Sequence, residues 1–321
     1  MTLNATVLSR GTAVRPRRGI AWHVICTGAA ALLGCAPAAS AHACIPPGVW
    51  SVPVPGGVRE IGAREIFLQA RTQPVVLLGE SHDNAEHHRW QLHTLVGLHL
   101  QRPDMVIGFE MFPRRVQEVL DRWVAGELSE SEFLQRSHWS DVWGFDAAYY
   151  LPLFHFARMH RVPMLALNVE RELVRRIGRE GLDAVPESER EGVGRPEPAG
   201  ADYLRELHAV YAKHGKDKQG DLNDPAFQRF VAGQLMWDRA IAEGIRSGHE
   251  RYPGRQVVAI MGRGHTGLGG VPHQLRALGI AQTTVFLPWD RTPDCTPPEP
   301  GSVDAVFGVA PPGSFPSVEA R

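Results

Sequence analysis

Glu80, His82, Glu110 and His265 are the residues of this chain whose types and settings best suit chemistry. Each stands just past a short apolar run. Residues 75–78 lead into Gly79-Glu80-Ser81-His82-Asp83, residues 105–109 into Glu110-Met111-Phe112-Pro113, and residues 257–261 into Gly262-Arg263-Gly264-His265. A carboxylate at the end of a buried strand is costly unless it is paired, protonated or bound to metal. Two carboxylates and two imidazoles form a mixed N/O set suited to a first-row divalent ion such as Mn or Zn. Without metal, the same groups offer a glutamate general base and a histidine proton relay. Asn168 ends a further apolar run, 162–167, and adds an amide to the set. Asp83 and Asn168 also read as helix N-caps, and His87 and His88 as surface or site residues.

These groups meet only if the runs before them are neighbouring parallel strands. The runs 75–78, 105–109, 162–167, 257–261 and 283–287 are continuous blocks of apolar or β-branched residues, the pattern of strands buried on both faces. Helical stretches separate them: 84–100, 114–125, 151–161, 170–180, 203–213, 225–246 and 272–277. The alternation predicts an α/β protein, a three-layer α/β/α fold around a mostly parallel central sheet. The carboxyl ends of parallel strands lie along one edge, where ligands bind in open α/β folds. In the helix 225–246, Gln234 and Asp238 fall on the apolar stripe of Phe227, Phe230, Val231, Ile241 and Ile245. Polar groups on an inward face need partners. The crevice and a neighbouring arginine are the two on offer for Asp238.

Seven aromatic residues crowd 139–156: Trp139, Trp143, Phe145, Tyr149, Tyr150, Phe154 and Phe156. The segment lies between the second and third runs and could fold over the crevice as a lid. Rings with phenolic hydroxyls suit a flat apolar ligand such as a porphyrin, and tyrosine is a haem-iron ligand. The six residues Gly262–Gly267 formally match G-x-G-x-x-G, but Pro272 lies near the start of a short following helix, so a glycine loop bringing His265 near a ligand explains them better.

The ends differ from the middle. Residues 1–59 hold no Asp or Glu, yet Arg10, Arg15, Arg17 and Arg18 precede an apolar stretch, 20–34, and then Cys35. This predicts a signal peptide over 1–35 and export. Leu32-Leu33-Gly34-Cys35 is lipobox-like, which would make Cys35 a lipid-modified membrane anchor of a periplasmic or outer-membrane-associated lipoprotein. Cleavage after Ala41 or Ala43 is the alternative. Residues 36–63 read as a Pro/Gly-rich tether, 64–290 as the α/β domain, and 291–321 as a Pro-rich tail with a short edge strand at 303–309. Once the leader is gone, Cys44 and Cys295 remain, a plausible disulfide in an oxidising compartment or two free thiols. The net charge of -1 and the 43% hydrophobic content exclude a disordered chain and a strongly basic nucleic-acid binder.

From Ile66 to Trp289 the sequence resembles the ChaN family of haem-binding uptake proteins, in one superfamily with the Tiki/TraB proteases and the erythromycin esterases. The resemblance rests on Leu77 through Asn84 with His87-His88, on Glu110-Met111-Phe112, on Trp143 through Tyr150 and Pro152, on Ala166-Leu167-Asn168, on Gln234 with Trp237-Asp238, and on Gly264-His265 followed by Gly269-Gly270-Val271-Pro272. The family implies a surface-attached, iron-regulated lipoprotein with haem as its ligand, in a homodimer with haems stacked between subunits. His82, Tyr149, Tyr150, Asn168, Arg263 and His265 are then the candidate haem contacts. Arg263 replaces an expected asparagine and could pair with a propionate. The superfamily implies instead a metal- or glutamate-dependent hydrolase using Glu80, His82, Glu110 and His265.

Overall fold

The apolar runs become strands because each is buried along its whole length. The computed structural model describes residues 44–213, 221–290 and 295–311. The leader, Cys35 and residues 312–321 lie outside them. In chain order the elements are β1 (Trp50–Val54), β2 (Gly57–Ile61), α1 (Ala63–Ala70), β3 (Val75–Glu80), α2 (Ala85–Gln101), β4 (Met105–Pro113), α3 (Gln117–Ala125), α4 (Glu130–Arg136), α5 (Trp139–Val142) and α6 (Ala147–Met159). They continue with β5 (Met164–Asn168), α7 (Arg171–Glu180), α8 (Ala201–Lys213), α9 (Pro225–Arg251), β6 (Gln256–Gly262), α10 (Val271–Ala277), β7 (Thr283–Asp290) and β8 (Ala305–Val309). No helix among the described residues is long and apolar enough to cross a membrane.

The strands form one sheet in the order β2-β1-β8-β7-β3-β6-β4-β5. From β8 to β5 every neighbouring pair is parallel. The fold is thus the α/β architecture expected from the alternation of elements. Two apolar clusters, one on each face, hold helices against the sheet. Leu78, Ile107, Phe109 and Ile260 pack with the rings of α5 and α6. Leu77, Val106, Leu167 and Ala259 pack under α9 and α10. Local chemistry sets the helix starts: Asn84 caps α2 by accepting from the Glu86 N–H at 3.0 Å, and Asp224 caps α9 before Pro225.

The boundaries differ from the expected ones at both ends. Residues 50–54 and 57–61, placed in a tether, form an antiparallel hairpin within the sheet. The tail strand, placed at an edge, lies between β7 and β1. The two facts have one cause. β1 pairs with the otherwise open side of β8, and Trp50 fills the space between Phe67, Trp90, Phe286 and Phe307, with centroid distances of 5.2–6.1 Å. An edge strand left bare would expose a row of unpaired backbone groups. Cys44 and Cys295 form a disulfide, with Cα atoms 4.7 Å apart.

Candidate functional site

β3, β4 and β6 end side by side, so Glu80, Glu110 and the loop after Gly262 come together at the carboxyl edge. Glu80 pairs in register with Gly262. The Gly262 N–H donates to Glu110 Oε2 at 2.6 Å. A Cβ at Gly262 would stand 2.8 Å from His82 Cε1, so only glycine lets the imidazole lie against this strand end. The chain then turns through a short 3-10 segment, Arg263–His265, which carries His265 back over Glu110.

His265 is the centre of a buried relay. Its Nδ1–H donates to Asp238 Oδ1 at 2.6 Å, and the Tyr203 hydroxyl donates to Asp238 Oδ2 at 2.7 Å. The other ring nitrogen faces Glu110 Oε1 at 3.5 Å. Burial by itself would drive the His265 pKa down. The charge of Glu110 and the hydrogen bond and charge of Asp238 outweigh it, and the pKa is pushed up to about 9. At neutral pH the imidazolium is therefore the stable form. Burial and the nearby Asp238 charge push the Tyr203 phenol well above its usual range, so it stays a donor.

His82 forms the second pair. Its Nδ1–H donates to Glu80 Oε1 at 2.5 Å, and its ring rests against Trp143 and Phe145, with centroids 4.6 and 5.1 Å away. Burial opposes its protonation, but the hydrogen bond to Glu80 and the Glu110 charge raise its pKa. Glu80 and Glu110 are each 1% exposed, and Glu80 Oε2 and Glu110 Oε1 have no hydrogen-bond partner. The arrangement can hold protons on two imidazoles between three carboxylates, His265 hydrogen-bonded to Asp238 and His82 to Glu80.

The other expected residues separate. The Asn168 amide donates to the Glu110 backbone carbonyl at 3.0 Å, and its oxygen accepts from the Val169 N–H. It braces the strand end rather than offering a ligand group. Tyr150 is wholly buried and directs its hydroxyl at Glu80 Oε1, 3.4 Å away, so it cannot meet the iron of a porphyrin. Tyr149 stacks on His88 at 5.6 Å and lines a different depression, with Asp83 and Asp290. Arg263 turns to the same side, 3.5 Å from His87 Nε2. His87 itself is structural: it accepts from the Ser81 N–H at 2.9 Å and donates to Asp290 at 2.6 Å. Of the aromatic lid, Trp143 and Phe145 do cover His82, whereas Trp139, Tyr150 and Phe154 are core.

The metal-ligand reading of Glu80, His82, Glu110 and His265 gains no support from the geometry. No group of three or more His, Cys, Asp or Glu among the described residues is placed to hold an ion. Each imidazole gives its Nδ1 to a carboxylate, His82 to Glu80 and His265 to Asp238. Asp238 and Tyr203 were absent from the expected site. Asp238 left a signal, a carboxylate on an apolar stripe; Tyr203 left none.

Between α7, α8 and α9 lies a groove of about 780 Å³, larger than the depression of about 170 Å³ that Glu110, Trp143, Asn168 and Trp237 line beside the strand ends. Tyr211, Phe230 and Trp237 floor it, and Arg171, Arg175, Arg179 and Arg229 rim it. Trp237 also leans on His265, with centroids 5.3 Å apart, so one indole is shared by groove and crevice.

Fold and site together define a parallel-sheet α/β protein with an acidic, proton-rich crevice next to an arginine-rimmed aromatic groove. The chain belongs to the family described as haem-binding uptake, Tiki superfamily, ChaN, whose model matches residues 66–275. A structure showing cofacial haem binding to ChaN of Campylobacter jejuni shares the fold, at 16% identity and a TM-score of 0.61, covering 80% of this chain and 95% of that chain. An erythromycin esterase in its open conformation aligns at 13% identity and a TM-score of 0.41, over 70% of this chain and 72% of that chain. No curated protein sequence matches the chain.

Proposed function

We propose that this chain binds haem in the groove between α7, α8 and α9 and serves haem or iron uptake. The carrying observation is the match of that groove to the chemistry of a porphyrin. Sites for ligands of this size enclose roughly 300–1,000 Å³, with apolar walls and a few polar groups. The groove, at about 780 Å³, falls inside this range. Flat rings pack on Tyr211, Phe230 and Trp237, and the guanidinium groups suit the two propionates. Tyr211 is the one phenol among the groove's described wall residues, and a phenolate is an established type of haem-iron ligand.

The test is a haemin titration of the full-length protein. A saturable Soret band is expected, shifted in Tyr211→Phe and weakened about tenfold or more in an Arg175→Glu/Arg179→Glu variant. A titration unaltered by both changes would place the ligand elsewhere, and no saturable band would end the reading.

The reading extends to export, to a lipid on Cys35, and to a periplasmic or outer-membrane-associated location. Support comes from the arginines followed by an apolar stretch and Leu-Leu-Gly-Cys, and from the disulfide, a bond favoured in oxidising compartments. A homodimer belongs to it as well, because an open groove leaves one face of a bound porphyrin for a second copy to cover. Incorporation of labelled palmitate that vanishes in Cys35→Ala, and a haemin-dependent doubling of sedimenting mass, are the expected outcomes.

A further inference from the structure

The groove runs along a seam between two helix faces. On α9, Ala226, Arg229, Phe230, Gly233 and Trp237 recur at three- and four-residue steps and so share the face that lines it. On α7, Arg171, Val174, Arg175, Gly178 and Arg179 recur in the same way. The two backbones touch where both faces carry glycine: a Cβ at Gly233 would stand 3.4 Å from the Val174 carbonyl oxygen and 3.6 Å from Gly178 Cα. One ligand lying on the α9 rings is therefore within reach of both rims.

The four arginines of the rims are not equivalent. Arg171 Nη2 donates to the Val142 and Trp143 carbonyls, each at 3.2 Å. Arg179 donates to Glu172 at 3.0 Å, and Arg175 lies 4.0 Å from the other oxygen of the same carboxylate. Arg229 makes no hydrogen bond or ion pair with any described residue, although it is half-buried and next in sequence to the groove-lining Phe230. A guanidinium in that setting gives up part of its hydration and receives no anion in return. Its flat fork of donors matches a carboxylate through two parallel N–H···O bonds. The ligand itself is the remaining source of that carboxylate.

We propose that Arg229 is the specificity-determining residue of the groove, selecting tetrapyrroles with free carboxylates over neutral ones. The inference rests on the groove being the haem site and goes beyond it by naming the group that reads the ligand's charge.

The experiment titrates the full-length protein with haemin and with iron protoporphyrin IX dimethyl ester, which keeps the iron and the ring and masks both carboxylates. The Soret band reports both ligands. The wild type is expected to bind haemin about tenfold or more tightly than the ester. In Arg229→Gln, haemin affinity is expected to fall to about that of the ester, with the ester bound as in the wild type, which also shows the groove intact. Arg246→Gln removes the same charge from an exposed position further along α9, where Arg246 faces Glu250 at 3.6 Å, and should keep the wild-type preference. Equal affinity of the wild type for both ligands, or an unchanged preference in Arg229→Gln, overturns the assignment and leaves the haem reading standing. So does a parallel loss of both ligands in Arg229→Gln, since an ester has no carboxylate to miss its partner, or an equal loss of preference in Arg246→Gln. Absence of a saturable band with haemin ends the haem reading and this inference together.

Discussion

Asp238 decides the charge state of the crevice. It is 0% exposed and accepts from both His265 and Tyr203, so its carboxylate has no solvent to fall back on. Asp238→Asn should remove the support that holds His265 protonated and lower the imidazole pKa, measurable by the pH dependence of its ring-proton NMR signals. Breaking a buried pair this way should also cost about 3–5 kcal/mol of stability in urea unfolding. The wild type should show a matching pH dependence. His265 has a folded pKa of about 9, above the ordinary 6.5, so its contribution is complete below pH 6.5 and is lost as pH rises through about 9. The urea midpoint should fall across that window, and the fall should shrink in Asp238→Asn. At this scale the sequence was readable where a polar residue interrupted an apolar pattern, as Glu80, Glu110 and Asp238 do. It was unreadable for tyrosines: nothing in their local pattern separates Tyr150, sealed in the core, from Tyr211, on the wall of a groove.

The central strands and most of the helices were legible because burial on both faces leaves a continuous apolar block and an amphipathic helix leaves a stripe. The β1–β2 hairpin was not. Its residues are short, interrupted by Pro53 and Gly56-Gly57, and identifiable as strands only through the partner that β8 supplies. The register between α9 and β5 was equally hidden. There the helix backbone approaches the strand so closely that a Cβ at Gly244 would stand 2.9 Å from Leu167 Cα and 3.0 Å from its carbonyl oxygen. Gly244→Ala should therefore destabilise the protein, since overpacking of about 1–3 kcal/mol outweighs the gain of about 1 kcal/mol in helix propensity. A lower urea midpoint with an unchanged m-value checks this. Because α9 also carries Asp238, the same substitution should disturb the His265 signals, which a purely local defect would leave alone.

For the molecule as a whole, the Cys44–Cys295 bond spans a sequence separation of 251 residues. Long loops lose the most unfolded-state entropy when closed, and removing such a bond typically costs about 2–5 kcal/mol. Urea unfolding with and without reductant, and of a Cys44→Ser/Cys295→Ser variant, should show that loss; coincident curves would mean the bond contributes nothing. The bond also governs how force enters the domain. Without it, a pull on the chain before Cys44 would unzip β2 and β1 from the rim of the sheet, one hydrogen bond at a time. With it, the load crosses through sulfur to the segment joining β7 and β8, the first two strands of the parallel array, whose ladder must shear as a unit. The disulfide thus sets where tension on the chain ahead of Cys44 is borne.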